Sequence, residues 1–275
     1  MVPAILNSTQ IIELNKLLDL VAERQRQDFG HIASDTKPDG TLITDCDRWS
    51  DKTLVDGLQR ITNNEEGVLS EEGCQKVPKS KAFWVVDPLD GTTNFSAGIP
   101  HWAISVARFI DGKPQSAFLD IPALQQRIFA VRNQGVWLNG TQLDLAKKSN
   151  SNSGCISICS RSIPMLQRKS NQRFPGKLRL MGVASLNLVG VAIGQTFGAI
   201  EATPKIWDLG SAWLILKELQ CPIKWLKADP GNIESGQELS QASFPVVTAS
   251  SSEKLELLLP WAQAVIENQS FSQRP

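Results

Sequence analysis

The chain has 275 residues, of which 41% are hydrophobic and 20% are charged, and its 28 basic residues balance its 28 acidic ones. This composition allows a substantial core, and the lack of a basic excess gives no indication of a nucleic-acid partner. No apolar run approaches the roughly 20 residues of a membrane helix, and the first ten residues do not resemble a signal peptide. Five cysteines without regular spacing indicate reduced thiols. We therefore expect a cytoplasmic protein that binds neither nucleic acid nor a membrane.

The start of the chain predicts a helix, a hairpin-like connection and a second helix. Ser8 or Thr9 can cap the first helix, in which leucines repeat at helical spacing. A turn at residues 37–41 leads into the strand-like sequence TLIT and then to Asp47. Helical spacing returns over residues 49–61.

Strands dominate the middle of the sequence. Two apolar runs, VLSEEG and AFWVVDPLDG, each end in acidic residues. Strand-like runs follow at 102–109, 115–121 and 127–131, separated by turn residues, and GVWLNGTQL adds a hairpin with Asn-Gly at its tip. We expect these runs to form an antiparallel meander.

A polar stretch at residues 147–154, KKSNSNSG, predicts a boundary between two halves, 1–150 and 151–275. Beyond it, strand-like runs such as CISICS and FPVVTAS alternate with helical ones such as WDLGSAWLILKEL. Alternation of this kind is typical of layered α/β structures. We expect an α+β first half, and a second half with α/β character.

The segment WVVDPLDGTTNF at 84–95 places two carboxylates where a buried strand ends. Pro88 interrupts the ladder, so the chain turns and Asp90 returns towards Asp87. Gly91 allows the backbone to approach a ligand, and the amides after it can hold an anion. Because acids beside such amides repel a phosphate unless a cation lies between them, and because Mg²⁺ prefers oxygen ligands, the segment favours a magnesium site.

A simple Asx turn with a helix cap would also explain this segment. Two other positions favour a metal site instead. VLSEEG ends an apolar run with Glu71 and Glu72, and Asp208 begins a strongly apolar helix, although it could be an ordinary N-cap there. Since the ends of parallel strands gather in one crevice, we expect these acids to lie together.

SEEG, WVVDPLDGTTNF and WDLGSAWLILKEL closely resemble the paired signatures of the inositol monophosphatase family of Mg²⁺-dependent, Li⁺-sensitive phosphatases. TLITDCD and GVASLNLVGVAIGQTFGAIEA resemble further family segments, and the resemblance covers about residues 8–220. It implies an α/β (α+β) fold, a layered αβαβα sandwich of the sugar-phosphatase type, with the active site between the two halves. It also implies hydrolysis of a small-molecule phosphate monoester, two or three Mg²⁺ ions in each active site, and a homodimer.

The resemblance also implies which residues bind the metal ions. Glu71, Asp87 and the Leu89 carbonyl match the ligands of a first ion. Asp87, Asp90 and Asp208 match those of a second. Glu71 is preferred to its neighbour because it is the first acid of the motif.

By the same resemblance, Gly91 and Thr92 match the residues whose amides hold phosphate oxygens. Asp47 and Thr92 resemble the pair that polarises the attacking water, and Glu71 can accept or orient its proton. Two metal ions about 3.5–4 Å apart can bind the attacking and leaving oxygens of an in-line displacement. No activated side-chain nucleophile is evident in the sequence, and this mechanism requires none.

The substrate is indicated by fewer residues. Glu201, seven residues before Asp208, matches an acid that accepts hydrogen bonds from a sugar hydroxyl in inositol phosphatases, although a surface charge is the alternative. Lys205 stands where relatives have His or Arg, and Ala184 and Ser185 match small residues of the polyol pocket or simple helix packing. Together they favour myo-inositol 1-phosphate. Fructose 1,6-bisphosphate, histidinol phosphate and phosphoadenosine phosphate remain alternatives, as does a catalytically silent regulatory protein.

Overall fold

The computed structural model describes residues 6–38, 40–144, 154–169 and 171–269. The helices in these ranges are α1 (Ser8–Asp28), α2 (Asp45–Ile61), α3 (Thr92–Ser96), α4 (Ile163–Arg168), α5 (Ala184–Ala192), α6 (Ile206–Glu218) and α7 (Ser252–Gln269). The strands are β1 (Ser34–Thr36), β2 (Leu42–Thr44), β3 (Gly67–Ser70), β4 (Ala82–Asp90), β5 (Ala103–Ile110), β6 (Lys113–Ile121), β7 (Gln126–Val131), β8 (Gly135–Leu138), β9 (Thr141–Gln142), β10 (Cys155–Ile158), β11 (Lys177–Arg179), β12 (Gly198–Glu201), β13 (Ile223–Trp225) and β14 (Val246–Ala249). The polar stretch at 147–154 lies, apart from Gly154, outside the described residues, so the division into two halves stays a prediction.

Helix α1 is capped one residue before the expected position. Asn7 is the N-cap: its side chain accepts from the Gln10 amide at 2.9 Å, and the Gln10 side chain accepts from the Asn7 amide at 3.0 Å. This reciprocal pair satisfies two amide donors that the helix itself leaves free. Ser8 and Thr9 therefore lie inside the first turn rather than capping it.

Helix α2 begins four residues earlier than the spacing of its apolar residues predicts. Thr44 is the N-cap and Asp47 is the third helical residue, and each accepts a hydrogen bond from the backbone amide of the other. The polar first turn carries no apolar periodicity, which is why the sequence pattern misses it. This capping pair fixes the position of Asp47.

A seven-stranded sheet, in the order β3-β4-β5-β6-β7-β8-β9, forms the larger of the two main sheets. Strands β3 and β4 are parallel, and every later neighbour is antiparallel. The predicted meander is therefore confirmed. Its parallel edge brings the acidic ends of VLSEEG and WVVDPLD to the same side.

A five-stranded sheet, in the order β11-β10-β12-β14-β13, forms the smaller one. Strand β10 runs parallel to β11 and β12, whereas β14 is antiparallel to β12 and β13. Helix α5 precedes β12 directly, so the start of α5 and the end of β12 lie close to one another.

The layers pack through three main apolar cores, of which the central one spans both faces of the middle helix layer. Helices α1 and α2 cover one face of the large sheet, with Leu18 against Trp84 as an example. Helices α5 and α6 fill the space between the sheets, where Trp213 and Ala199 share one core. Helices α4 and α7 cover the outer face of the small sheet. The αβαβα sandwich is confirmed, and no helix in the described ranges is both long and apolar enough to span a membrane.

Candidate active site

The parallel pair β3 and β4 delivers the first acids. Ser70 and Val86 are paired across the two strands, and the Glu71 amide donates to the Val86 carbonyl at 3.2 Å. Glu71 therefore leaves β3 beside the point at which Asp87 leaves the regular part of β4. The expected meeting of the two strand ends is confirmed.

The sequence DPLD forms a tight irregular segment, and its pairing with β5 shifts register between Asp87 and Asp90. The Leu89 amide donates to the Asp87 carboxylate at 3.0 Å. The buried Gln25 side chain donates to the Pro88 carbonyl at 2.8 Å and accepts from the Trp102 indole at 2.9 Å. Because a buried carbonyl without a donor is costly, Gln25 stabilises this shape of the segment.

Gly91 follows with a φ of 103°, a conformation that favours glycine. A Cβ at this position would lie 2.8 Å from the Val183 side chain and 3.3 Å from the His101 carbonyl. Glycine is therefore required for both conformation and space. It lets the chain pass from the acids of β4 directly into α3.

Asp87, Asp90 and Asp208 form the acidic centre. Each offers a carboxylate oxygen, and these oxygens all lie within 4.8 Å of one another. Burial, together with the neighbouring acids, raises the pKa of both Asp87 and Asp208 well above the ordinary value. One oxygen of Asp87 is buried without a hydrogen-bond partner. Because convergent oxygens, one of them unpartnered, are what a hard divalent cation coordinates, this donor set fits Mg²⁺.

Two of these acids are also tied to the starts of helices. Asp90 accepts from the amides of Ala184 at 3.3 Å and Ser185 at 2.7 Å, in the first turn of α5. Asp208 lies in the first turn of α6 and accepts from the Lys205 amide at 2.7 Å. The N-cap is Lys205, so the interpretation of Asp208 as the N-cap is wrong: Asp208 is the third residue of the helix, where it accepts the capping bond and also belongs to the centre.

Glu71 lies at the edge of this centre, where its charge contributes to the raised pKa of Asp87. The Lys37 ammonium contacts Glu71 at 3.0 Å and Glu72 at 2.5 Å. Although burial opposes its charge, these two carboxylates raise the pKa of Lys37. Burial raises the pKa of Glu72 to about 7. The sequence did not predict that Lys37 contacts these acids, because KPDGT indicates only a turn.

Asp47 and Thr92 are brought together as expected. The Thr92 hydroxyl donates to one Asp47 oxygen at 2.8 Å, and the other oxygen accepts from the amide and hydroxyl of Thr44. Burial raises the pKa of Asp47, and these hydrogen bonds oppose that effect. A carboxylate with raised pKa beside a hydroxyl is suited to receive a proton.

On the substrate side, Glu201 ends β12 and is buried. The Asn187 side-chain amide donates to it at 2.7 Å, and burial raises the pKa of Glu201 to about 8. Burial and the charge of the neighbouring Glu201 raise the pKa of the Cys159 thiol to about 11. Neither neighbour was connected with Glu201 in the sequence, because both come from distant segments without a motif.

The other three candidate substrate residues, Ala184, Ser185 and Lys205, make contacts of their own within the protein. Ala184 and Ser185 begin α5 and hold Asp90 through their amides, while the Ser185 hydroxyl is buried without a partner. The Lys205 ammonium donates to the Ser240 carbonyl at 2.6 Å.

A cavity of about 860 Å³ lies away from the acids, between α1 and strands β6–β8. Its central cation, Arg127, is bound by Asp120 at 2.6 Å, Asn15 at 2.8 Å and Asp19 at 2.9 Å. The guanidinium of Arg127 is therefore already paired within the protein. The acidic centre is the candidate active site.

This fold and centre define a metal-dependent phosphatase of the layered α/β type. The family model described as "Inositol monophosphatase family" matches residues 8–261, and the chain belongs to this family. It is 32% identical to an inositol-1-monophosphatase of Rhizobium meliloti (70% of this chain, 76% of that protein) and 32% identical to a histidinol-phosphatase of Mycobacterium tuberculosis (74% and 82%). A structure described as an IMPase/NADP phosphatase complexed with Mg²⁺ and phosphate has a TM-score of 0.73, with 22% identity, over 91% of this chain and 95% of that one. The protein is a phosphatase of this family.

Proposed function

We propose that the protein hydrolyses the phosphate monoester of a polyol or sugar, with myo-inositol 1-phosphate as the first candidate. The observation that carries the proposal is the convergence of Asp87, Asp90 and Asp208 beside the Asp47–Thr92 pair. A cation centre next to a proton acceptor is what water-driven phosphate hydrolysis requires. The name of the family and the buried acid Glu201 support the choice of substrate.

Mg²⁺ would be held by Asp87, Asp90, Asp208 and Glu71, together with the Leu89 carbonyl. When bound, it supplies positive charge for the phosphate oxygens and lowers the pKa of a bound water. We infer two or three ions per site, sensitivity to Li⁺ and a homodimeric assembly from membership of the family. These inferences are proposals about this chain.

The protein's own groups perform the remaining steps. The Thr92 hydroxyl and Asp47 carboxylate, 2.8 Å apart, orient the attacking water, and Asp47 accepts its proton. The amides of Gly91 and Thr92 bind phosphate oxygens as charge accumulates on them. Glu71 orients the same water from the other side, after exchanging its contact with Lys37. No covalent intermediate with the protein is needed.

The experiment measures phosphate release from a panel of myo-inositol 1-phosphate, fructose 1,6-bisphosphate, histidinol phosphate and phosphoadenosine phosphate, with and without Mg²⁺. The proposal expects Mg²⁺-dependent turnover, with the highest kcat/KM for myo-inositol 1-phosphate. A clear preference for another ester would keep the metal mechanism and reject the first-choice substrate. Absence of turnover on all four would reject the function and favour a regulatory role.

A further inference from the structure

A polar cluster lies between α5 and the small sheet. The side chain of Ile200 belongs to the outer core, so that of Glu201, one residue further along β12, faces the opposite side. Asn187 lies on α5, which packs against that side. Asn187 and Glu201 therefore meet between the helix and the sheet, although they come from separate segments.

Asn187 is the side chain that fixes the Glu201 carboxylate. Its amide nitrogen donates to Glu201 Oε1 at 2.7 Å, and the two residues are only 1% and 2% exposed. A glutamate has three side-chain torsions, and holding them in one arrangement costs entropy that a buried donor can offset. Cys159 is a further neighbour of the same carboxyl group.

The chemistry of Asn187 suits this task better than a charged or apolar residue would. A neutral amide satisfies the carboxylate without adding charge beside Asp90, whose charge also reaches Glu201. An aliphatic residue of similar size would leave a buried carboxylate without its donor, which is costly. The amide oxygen of Asn187 is itself buried without a partner, so the hydrogen bond to Glu201 is made by the amide nitrogen alone.

We propose that Asn187 is a positioning residue that sets the substrate preference of the enzyme. By holding Glu201, it directs the free side of the carboxyl group towards a hydroxyl of the substrate. The enzyme then selects phosphate esters that carry a hydroxyl there over esters that lack one. This inference rests on the proposed function, because it assumes that Glu201 meets the substrate.

The test compares Asn187→Leu with wild type on myo-inositol 1-phosphate and on phenyl phosphate, which carries no hydroxyl. We expect KM for the inositol ester to rise about 10-fold with kcat nearly unchanged, because one positioning hydrogen bond is lost. Both constants for phenyl phosphate should stay within about twofold. Equal losses on the two substrates would overturn the proposal, since they would indicate general damage to the fold.

Two further variants keep the test decisive. Asn187→Ser removes atoms instead of adding apolar volume, and it replaces Asn187→Leu if that variant fails to fold. In the Glu201→Ala background, either change at Asn187 should have no further effect on KM, since Asn187 acts through Glu201. If the effects of the Asn187 and Glu201 changes on KM were additive, Asn187 would not act through Glu201.

The outcomes also separate this inference from the proposed function. If wild type does not prefer the hydroxyl-bearing ester over phenyl phosphate, the proposed polyol substrate fails. If wild type shows the preference and the Asn187 variants keep it, the positioning role alone fails.

Discussion

The acidic centre has two sides that differ in how their charge is neutralised. On the β3 side, Glu71 and Glu72 share a protein cation, the Lys37 ammonium, at 3.0 and 2.5 Å. On the β4–α6 side, Asp87, Asp90 and Asp208 converge, and backbone amides donate to Asp90 and Asp208. The first side contains a protein cation, whereas the second is the side on which we propose that an added cation binds. This difference indicates where Mg²⁺ matters most.

The largest effect is expected from Asp90→Asn. The asparagine oxygen can still accept the shorter bond, from the Ser185 amide at 2.7 Å, and gives up only the longer one from the Ala184 amide at 3.3 Å, so the fold should remain intact while a ligand charge is lost. We expect kcat to fall by about 10³-fold or more, because charge stabilisation at the metal is the main source of catalysis. Asp56→Asn on the exposed face of α2 is the matched control and should be neutral. Normal turnover by Asp90→Asn would refute the metal assignment.

Thr92→Val should have the next largest effect. It removes the hydroxyl that donates to Asp47 at 2.8 Å, with little change in volume. We expect kcat to fall about 10²-fold, the usual scale for losing a group that assists proton transfer. Thr92→Ser keeps the hydroxyl and should retain most of the activity. If Ser and Val variants are equally impaired, the hydroxyl has no role in orienting water.

Lys37→Gln tests the comparison between the two sides directly. Without the ammonium, Glu71 and Glu72 lose their internal counter-charge, and Mg²⁺ no longer competes with it. We expect the Mg²⁺ concentration that gives half-maximal phosphate release to fall about 3- to 10-fold. Arg26→Gln, which removes an exposed cation from α1, should leave that concentration unchanged. If Lys37→Gln raised the Mg²⁺ concentration needed for half-maximal phosphate release, Lys37 would support metal binding instead of opposing it.

The smallest effect is expected in the stability of the metal-free protein as pH changes. Burial raises the pKa of Glu201 to about 8 and that of Glu72 to about 7, both above their values in the unfolded chain. In the window between the unfolded values near 4 and these folded values, the folded state binds more protons, so stability falls as pH rises. We expect Tm to be a few degrees lower at pH 8 than at pH 6.

Mg²⁺ should offset this loss, since it supplies the missing charge when the acids are ionised. Thermal unfolding with Mg²⁺ should therefore show a larger rise in Tm at pH 8 than at pH 6. A metal-free protein whose Tm increases from pH 6 to pH 8 would contradict the account of the buried acids.

Sequence patterns predicted what depends on strand ends and local motifs. The acids at the ends of β3 and β4 come after continuous apolar runs, and turn residues separate the strands of the meander, so the sequence predicted both features. The sequence did not predict where α2 begins. The first turn of α2 is polar, and its capping pair, Thr44 and Asp47, extends the helix beyond the apolar spacing. Cap positions depend on side-chain hydrogen bonds, which periodicity does not show.

The supporting contacts of the site were missed for a different reason. Gln25 meets Pro88 across 63 residues of sequence, and Lys37 meets Glu71 across 34. Such pairs join residues that are far apart in the sequence and meet only in the folded layers. Because single Gln and Lys residues are also common on protein surfaces, neither residue type indicates a site on its own. The same holds for Asn187 beside Glu201. Sequence reasoning therefore located the acids but not the groups that hold and neutralise them.

The most direct test of the account is phosphate release by wild type from its best substrate in the panel, after a chelator has removed divalent ions and again after Mg²⁺ is restored. The account predicts that turnover disappears with the chelator and returns in a saturable manner with Mg²⁺. Turnover that is unchanged by the chelator would contradict the claim that Asp87, Asp90 and Asp208 act by holding a metal ion.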